Sequence, residues 1–317
     1  MLDKSQNIFI FGAAGFVGSS LISFLNPRGY NNITIFENEN IHKKWKNLVG
    51  LKFNQILDKE RYKDYQDHGP GWIDNFNKND IFILLGARSS TNAIENQETY
   101  YHNVVFPKNV IDLFPDNKII FASTGAIYGN SGDFKESNLA GQPNNFYSFT
   151  KSLVDQHISS LNRDNLYSLR FFNIFGERER FKSEDSQSPV YKWLTNNKLQ
   201  SIYLNQNFKR DFIYVEDVCK VIFHILNLKE EKGGIYNLGT GVANTWGEVA
   251  RIVSGCKGTN NWFKLEKEEP DFIKKSSYQR FTKAEISLLR EKLGYKEDMT
   301  SLEEGIKKVW EQLNQSK

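Results

Sequence analysis

The chain has 317 residues, 41 Lys and Arg against 38 Asp and Glu, 39% hydrophobic residues, and 24 Phe, 14 Tyr and 6 Trp. That length passes the roughly 250 to 300 residues at which one core stops growing, so two cores or one interlocked core are expected, and the composition excludes disorder, collagen and coiled coil. A net charge of +3 with scattered basic residues gives no nucleic-acid signal, and Cys219 and Cys256 alone can build neither a disulfide framework nor a zinc ribbon, which fits a reducing, cytoplasmic compartment.

The first apolar stretch, Ile8 to Val17, follows Asp3 and Gln6 and is broken by Gly12 and Gly15, so it reads as a strand meeting a turn rather than a leader. Ile8 to Phe11, Ile33 to Phe36, Ile81 to Leu85, Ile119 to Ala122 and Tyr167 to Arg170 read as buried parallel strands, because a strand covered on both faces shows no polar alternation. The longest of these runs, Ile81 to Leu85, is far below the roughly 20 residues a bilayer span needs, so no membrane segment is expected. Amphipathic stretches lie between the strands, clearest at Tyr100 to Phe114 and Phe146 to Leu161. Repeated β-α-β units with right-handed crossovers give an α/β fold with a Rossmann-type doubly wound parallel sheet.

Beyond Asn173 the spacing predicts a polar loop from Gly176 to Ser188, helices from Val190 to Asn197 and Val215 to Leu228, and a strand from Ile235 to Leu238. Lys264 to Ser277, around Pro270, reads as a loop, and helical periodicity returns at Lys283 to Leu293 and Ser301 to Leu313. The expected division is a dinucleotide-binding domain over 1–172, with 209–240 returning to it, and a smaller mixed α/β substrate domain over most of 173–317.

Gly12, Gly15 and Gly18 form G-x-x-G-x-x-G directly after the first strand and at the start of a helix, where backbone amides and the helix N-terminus suit a pyrophosphate. Glu37 ends the second strand where a carboxylate can hold the ribose hydroxyls of NAD; Lys44 nearby would instead pair a 2′-phosphate and admit NADP. Tyr147 and Lys151 lie four residues apart on one helix face, so the ammonium is expected to lower the phenol's pKa and let it take a hydroxyl proton as hydride leaves to nicotinamide. Thr124, after the Ile119 strand, supplies a hydroxyl to orient the substrate oxygen.

The order of these motifs, with Asn103-Val104, Leu169 to Gly176, Arg210 to Val218 and Tyr236 to Gly239, resembles the extended short-chain dehydrogenase/reductases, the class of nucleotide-sugar epimerases and dehydratases, over nearly the whole chain. Within that class Arg88 to Thr91, Gly176 to Lys182, Asn207 to Phe212 and Tyr278 to Thr282 are similar to the ADP-glycero-manno-heptose 6-epimerase family. The resemblance implies a cofactor wall that also includes Phe16, Val17, Asn38, Gln55, Ile56, Leu85, Gly86, Ala87, Asn103 and Ser123, and a substrate side with Arg88, Ser89, Ser90, Asn173, Arg210 and Tyr278. It implies two bases flanking the sugar, Tyr147 and Lys182, and a homo-oligomer, dimer or higher, formed through Tyr100 to Phe114 and Phe146 to Leu161. The plainer alternatives are a surface lysine at 182 and a structural Arg210 and Asp211 ion pair.

The chain departs from that family at Phe11 and Ala13 where Thr and Gly are usual, at Gln55 in place of an adenine-contacting Asp, at Glu177 in place of a turn proline, and at Arg88 in place of a small residue. Three readings follow. One is a 6-epimerase on an ADP- or GDP-heptose that works through a transient ketone. A second is a dehydrogenase that releases the ketone, for example at carbon 4 of GDP-heptose. A third, a silent cofactor sensor, would be expected to lack the Tyr or the Lys, and both are present.

Overall fold

The computed structural model describes residues 2–37, 41–58, 76–88, 97–139, 141–182, 186–196, 199–203, 208–258, 263–266 and 279–315. Its centre is a seven-stranded parallel sheet in the order β10-β6-β5-β4-β1-β2-β3. These strands are β1 (Ile8–Phe11), β2 (Ile33–Glu37), β3 (Gln55–Asp58), β4 (Ile81–Leu84), β5 (Lys118–Thr124), β6 (Leu166–Phe171) and β10 (Gly234–Leu238). The strand order reverses between β1 and β4, and crevices for ligands form outside the carboxyl ends of strands at such a switch point.

The two faces of this sheet differ in chemistry because side chains alternate along each strand. Ile8, Ile10, Ile33, Ile35, Ile81 and Ile83 pack under the helices Phe16–Leu25 and Val215–Leu226. Phe9, Phe11, Phe36, Phe82 and Phe121 point the other way, under the helices Phe106–Leu113 and Phe146–Leu161. There Phe11 stacks on Phe36 at 4.3 Å and Phe82 on Phe114 at 4.3 Å, so flat rings fill the gap over the sheet centre.

After Phe171 the chain leaves the sheet and builds a smaller lobe. β9 (Lys209–Tyr214) pairs in parallel with β7 (Asn173–Phe175) and antiparallel with β11 (Ala243–Thr245), while β8 (Gln200–Tyr203) and β12 (Phe263–Glu266) form a separate parallel pair. Phe175, Phe212, Val249, Val253, Ile306 and Val309 make its core. The chain then returns to the sheet at β10, where Phe172 N–H donates to Leu238 O at 3.0 Å.

Three expected elements come out differently. The Tyr100 to Phe114 helix carries a π turn at Tyr101–Val105 between Gln97–Tyr100 and Phe106–Leu113. Lys264 to Glu266 belong to β12 rather than a loop, and the loop's remainder, 267–277, lies outside the described residues. Of Lys283 to Leu293, the α-helix is confined to Ser287–Glu291. The chain just before it runs along β9, with Thr282 N–H on Lys209 O at 3.0 Å and Ala284 N–H on Asp211 at 2.9 Å, so this backbone is committed to other acceptors. Among the described residues no helix is long and apolar enough to cross a membrane.

Candidate active site

The glycine turn sits at the sheet's switch point and leaves no space for side chains. Gly12 has φ +79°, and a Cβ there would stand 2.5 Å from Gly86 Cα, at the end of β4. A Cβ on Gly18 would stand 2.5 Å from Gly12 O. Leu85 N–H donates to Phe11 O at 2.9 Å and ties β4's exit to the turn, while Gly15 starts the helix Phe16–Leu25 without a side-chain cap. The first amides of that helix are therefore left for an anion.

Glu37 is buried at the end of β2, and its Oε1 accepts Ala14 N–H at 2.6 Å. Asn47 donates to Ala14 O at 3.0 Å, so the two peptides flanking the Ala14 Cα are each held by a buried side chain. Lys44 lies close by in sequence on the short helix Ile41–Lys44 and is partly exposed, and Gln55 and Ile56 are exposed on β3. Asn38 lies outside the described residues. Ser123 is 2% exposed, and its Oγ has no hydrogen-bond partner among the described residues. A cradle closed to any Cβ and a buried hydroxyl awaiting a partner both fit a dinucleotide.

Tyr147 enters this site because Asn145 caps its helix, accepting Ser148 N–H at 2.9 Å and fixing the first turn. Thr124, the last residue of β5, accepts Ala126 N–H at 3.1 Å and hydrogen-bonds Tyr147. Tyr147's pKa is not lowered as the sequence suggested. Burial of the phenol pushes it up to about 12, with the Thr124 hydrogen bond opposing. The Lys151 ammonium is itself buried, donates to Ala122 O at 2.7 Å and stands 4.4 Å from the centre of the Phe121 ring. Desolvation, rather than the neighbouring cation, sets the resting state of the phenol.

Asn103, in the π turn, is fully buried and grips the chain after β4: its Oδ1 accepts Arg88 N–H at 2.9 Å, and its Nδ2 donates to Arg88 O at 3.1 Å and to Thr150 Oγ1 at 3.2 Å. The extra residue of a π turn re-aims a side chain at such sites. The Arg88 guanidinium is ion-paired with Glu98, to which His102 also approaches at 3.7 Å. Ser89 and Ser90 lie outside the described residues, as does Tyr278.

On the small-lobe side, Lys182 follows the 3-10 turn Glu177–Phe181. Its Nζ lies 3.3 Å from Glu179 Oε2 and 5.5 Å from the centre of the Phe16 ring, which places it beside the glycine-turn helix. Arg210 is 6% exposed and donates to Lys209 O at 3.1 Å. Asp211, on the opposite face of β9, instead meets Thr240 N–H at 2.8 Å, Thr240 Oγ1 at 2.7 Å, Gly241 N–H at 2.9 Å and Ala284 N–H at 2.9 Å. Four such donors stand where a structural ion pair with Arg210 was the alternative. Asn173 Oδ1 accepts from Thr282 Oγ1 at 3.4 Å.

Sequence reasoning passed over Glu179, Asn145 and the buried Asp155 and Arg170 pair, whose Oδ2 and Nε lie 2.7 Å apart beneath the Tyr147 helix. The signal for the last was present, since Asp155 continues the Tyr147 and Lys151 face at i+4. Glu179 lies between Arg178 and Arg180 and reads as part of a solvated charge run.

The profile of the NAD dependent epimerase/dehydratase family matches residues 8–239. Over 324 residues the chain is 29% identical to the ADP-L-glycero-D-manno-heptose-6-epimerase of Brachyspira hyodysenteriae, with 98% of each covered. The crystal structure of the Helicobacter pylori ADP-L-glycero-D-manno-heptose-6-epimerase is similar at a TM-score of 0.82 and 24% identity, covering 98% of both chains. UDP-glucose 4-epimerase from Thermotoga maritima, solved with UDP-glucose, is similar at a TM-score of 0.77 and 21% identity, covering 98% of this chain and 99% of that one. At these identities the two structures speak for the fold.

Proposed function

Since this chain belongs to the NAD-dependent epimerase/dehydratase family, we propose that it is a 6-epimerase acting on a nucleoside-diphosphate heptose, with ADP-glycero-manno-heptose as the first substrate to try. The observation that carries this reading is the presence of two proton-bearing groups, Tyr147 hydrogen-bonded to Thr124 at the end of β5 and Lys182 on Glu179 beside the helix that follows the glycine turn. The end-to-end likeness to a heptose epimerase supports the sugar. Residues 1–172 with 209–240 are read as the cofactor half and most of 173–317 as the substrate half.

When bound, NAD supplies the acceptor and then the donor of a hydride at the sugar carbon. Gly12, Gly15 and Gly18 would hold its pyrophosphate, Glu37 its ribose, and Ser123 and Lys151 its nicotinamide end. Glu37 is a buried carboxylate next to the turn, and it repels a 2′-phosphate, which favours NAD over NADP. Tyr147 rests as a phenol and acts as the base once it has given its own proton to solvent, with the Thr124 hydrogen bond favouring the phenolate. It takes the C6 hydroxyl proton as the hydride leaves, which makes a C6 ketone. Once that carbon has turned its other face, Lys182 gives a proton to the ketone oxygen as the hydride returns. Asn173 and Arg210 would hold the substrate's pyrophosphate, the guanidinium as a forked donor.

The enzyme is read as cytoplasmic and as a homo-oligomer, dimer or higher, through the segments Tyr100 to Phe114 and Phe146 to Leu161, which carry the exposed Tyr100 and Phe149. The test is to incubate pure protein with ADP- and GDP-heptoses and follow carbon 6 by NMR, with and without an external oxidant. Inversion without oxidant is expected. Accumulation of a keto sugar only when oxidant is supplied would replace the epimerase with a dehydrogenase.

A further inference from the structure

Glu179 is completely buried, an unusual place for a carboxylate whose sequence neighbours are Arg178 and Arg180. Both of its oxygens are in use. Oε1 accepts Ser188 Oγ–H at 2.6 Å and Gly176 N–H at 3.2 Å; Oε2 accepts Ser188 N–H at 2.6 Å and lies 3.3 Å from Lys182 Nζ. Its main chain adds two more ties, since Glu179 O receives Lys182 N–H at 2.9 Å and Gln187 Nε2 at 3.2 Å. Ser188 in turn caps the helix Pro189–Thr195 through Tyr191 N–H at 3.2 Å. One carboxylate thus joins the start of the Gly176 turn, the next helix and the ammonium of Lys182.

Three of these four donors are neutral and belong to the scaffold; the fourth is the one cation paired with Glu179 among the described residues. A buried carboxylate is held by its neutral donors whether or not a cation is present, so it stands at a fixed point 3.3 Å from Lys182 Nζ. The Lys182 side chain is 28% exposed and has four rotatable carbons, so on its own it would spread over many positions.

Resting on the 6-epimerase reading above, we propose that Glu179 is the positioning residue for the Lys182 ammonium, holding it as the proton carrier for one of the two C6 configurations and having no part in the step carried by Tyr147. The two 6-epimers of the substrate separate the roles. Oxidation of one epimer uses Tyr147 as base, and oxidation of the other uses Lys182.

The experiment measures single-turnover formation of reduced nicotinamide from each 6-epimer with the cofactor-loaded protein. Glu179→Gln is expected to slow oxidation of the Lys182-dependent epimer by about 10²-fold, the cost of a misplaced catalytic group, and to leave the other within about twofold. Added to Lys182→Met, it should produce little further loss, because both changes remove one function. Glu179→Asp, with the charge kept, should recover part of the rate. In the absence of any sugar, Lys182 should be acylated several-fold faster in Glu179→Gln than in the parent, as read by mass spectrometry. Equal slowing of both epimers, or additive losses in the double variant, would reduce Glu179 to a scaffold residue and overturn the proposal. So would unchanged acylation. Failure of the epimerase reading looks different: parent protein that interconverts neither epimer, with the acylation difference intact.

Discussion

The two sides of the cleft hold their functional groups by different physics. On the sheet side, position is set by backbone and exclusion: Gly12 packs on Gly86 where no Cβ fits, Glu37 binds the Ala14 amide, and Lys151 is anchored on the Ala122 carbonyl. On the small-lobe side it is set by one side chain, Glu179, which gathers Gly176, Ser188 and Lys182. The sheet side is over-determined by strand pairing and helix packing, whereas the lobe side depends on a few polar bonds. The first should tolerate the loss of any one hydrogen bond but not a change in shape; the second should respond in the opposite way.

The comparison is broken most severely at Tyr147, where shape is kept and chemistry removed. Tyr147→Phe should lower turnover by about 10² to 10⁴-fold with NAD still bound, measured by NMR turnover and by cofactor released on denaturation. Activity near that of the parent would remove Tyr147 from the mechanism. Gly12→Ala tests exclusion on the same side. A methyl 2.5 Å from Gly86 Cα must push β1 and β4 apart, so we expect about 3 kcal/mol of lost stability by denaturant titration, together with loss of bound cofactor. A variant as stable as the parent would mean the turn is not closed as described.

Thr124→Ala removes one hydrogen bond and leaves the frame standing. Because that bond opposes the upward shift of Tyr147, its loss should raise the phenol's pKa further and cost about tenfold in rate, with the melting temperature nearly unchanged. A loss as large as that of Tyr147→Phe would make Thr124 part of the proton path. A last test uses alkali and leaves the sequence unchanged. Tyr147 in the cleft and Tyr191 and Tyr214 in the small lobe are each raised from 10.0 to about 12, mainly by burial. In the unfolded chain they ionise first, so their contribution is complete below pH 10 and is lost as pH rises from about 10 to about 12. Melting temperatures across that range should fall in step with phenolate absorbance; a flat profile would contradict the burial.

Much of the sheet was legible because its strands are apolar on both faces and punctuated by Gly12, Gly15 and Gly18, a pattern local in sequence. β12 was not, since it exists only through its pairing with β8, a partner far away along the chain. The short Ser287–Glu291 helix shows the same limit, its preceding residues having been captured by β9. At the site, Tyr147, Thr124 and Lys151 could be read from order and spacing, but the sign of Tyr147's shift could not, because burial is not written in a four-residue spacing. Glu179 was hidden for the converse reason: its flanking arginines suggest solvent, and its partner Ser188 lies nine residues on, at a distance no periodicity marks.

The seventh strand of the sheet arrives late. During synthesis β6 emerges with Leu166, Tyr167 and Leu169 ready to be covered, yet the neighbour that seals its outer edge, β10, begins only at Gly234, opposite Tyr167. Until then the growing chain carries a row of unpaired amides and carbonyls on an apolar strand, a template for pairing with other chains. Closure must also wait for a long loop to be brought back, which slows it. A fragment ending at residue 172 should therefore partition into aggregates when produced alone, while the full chain, in which β10 pairs with β6, should remain in solution.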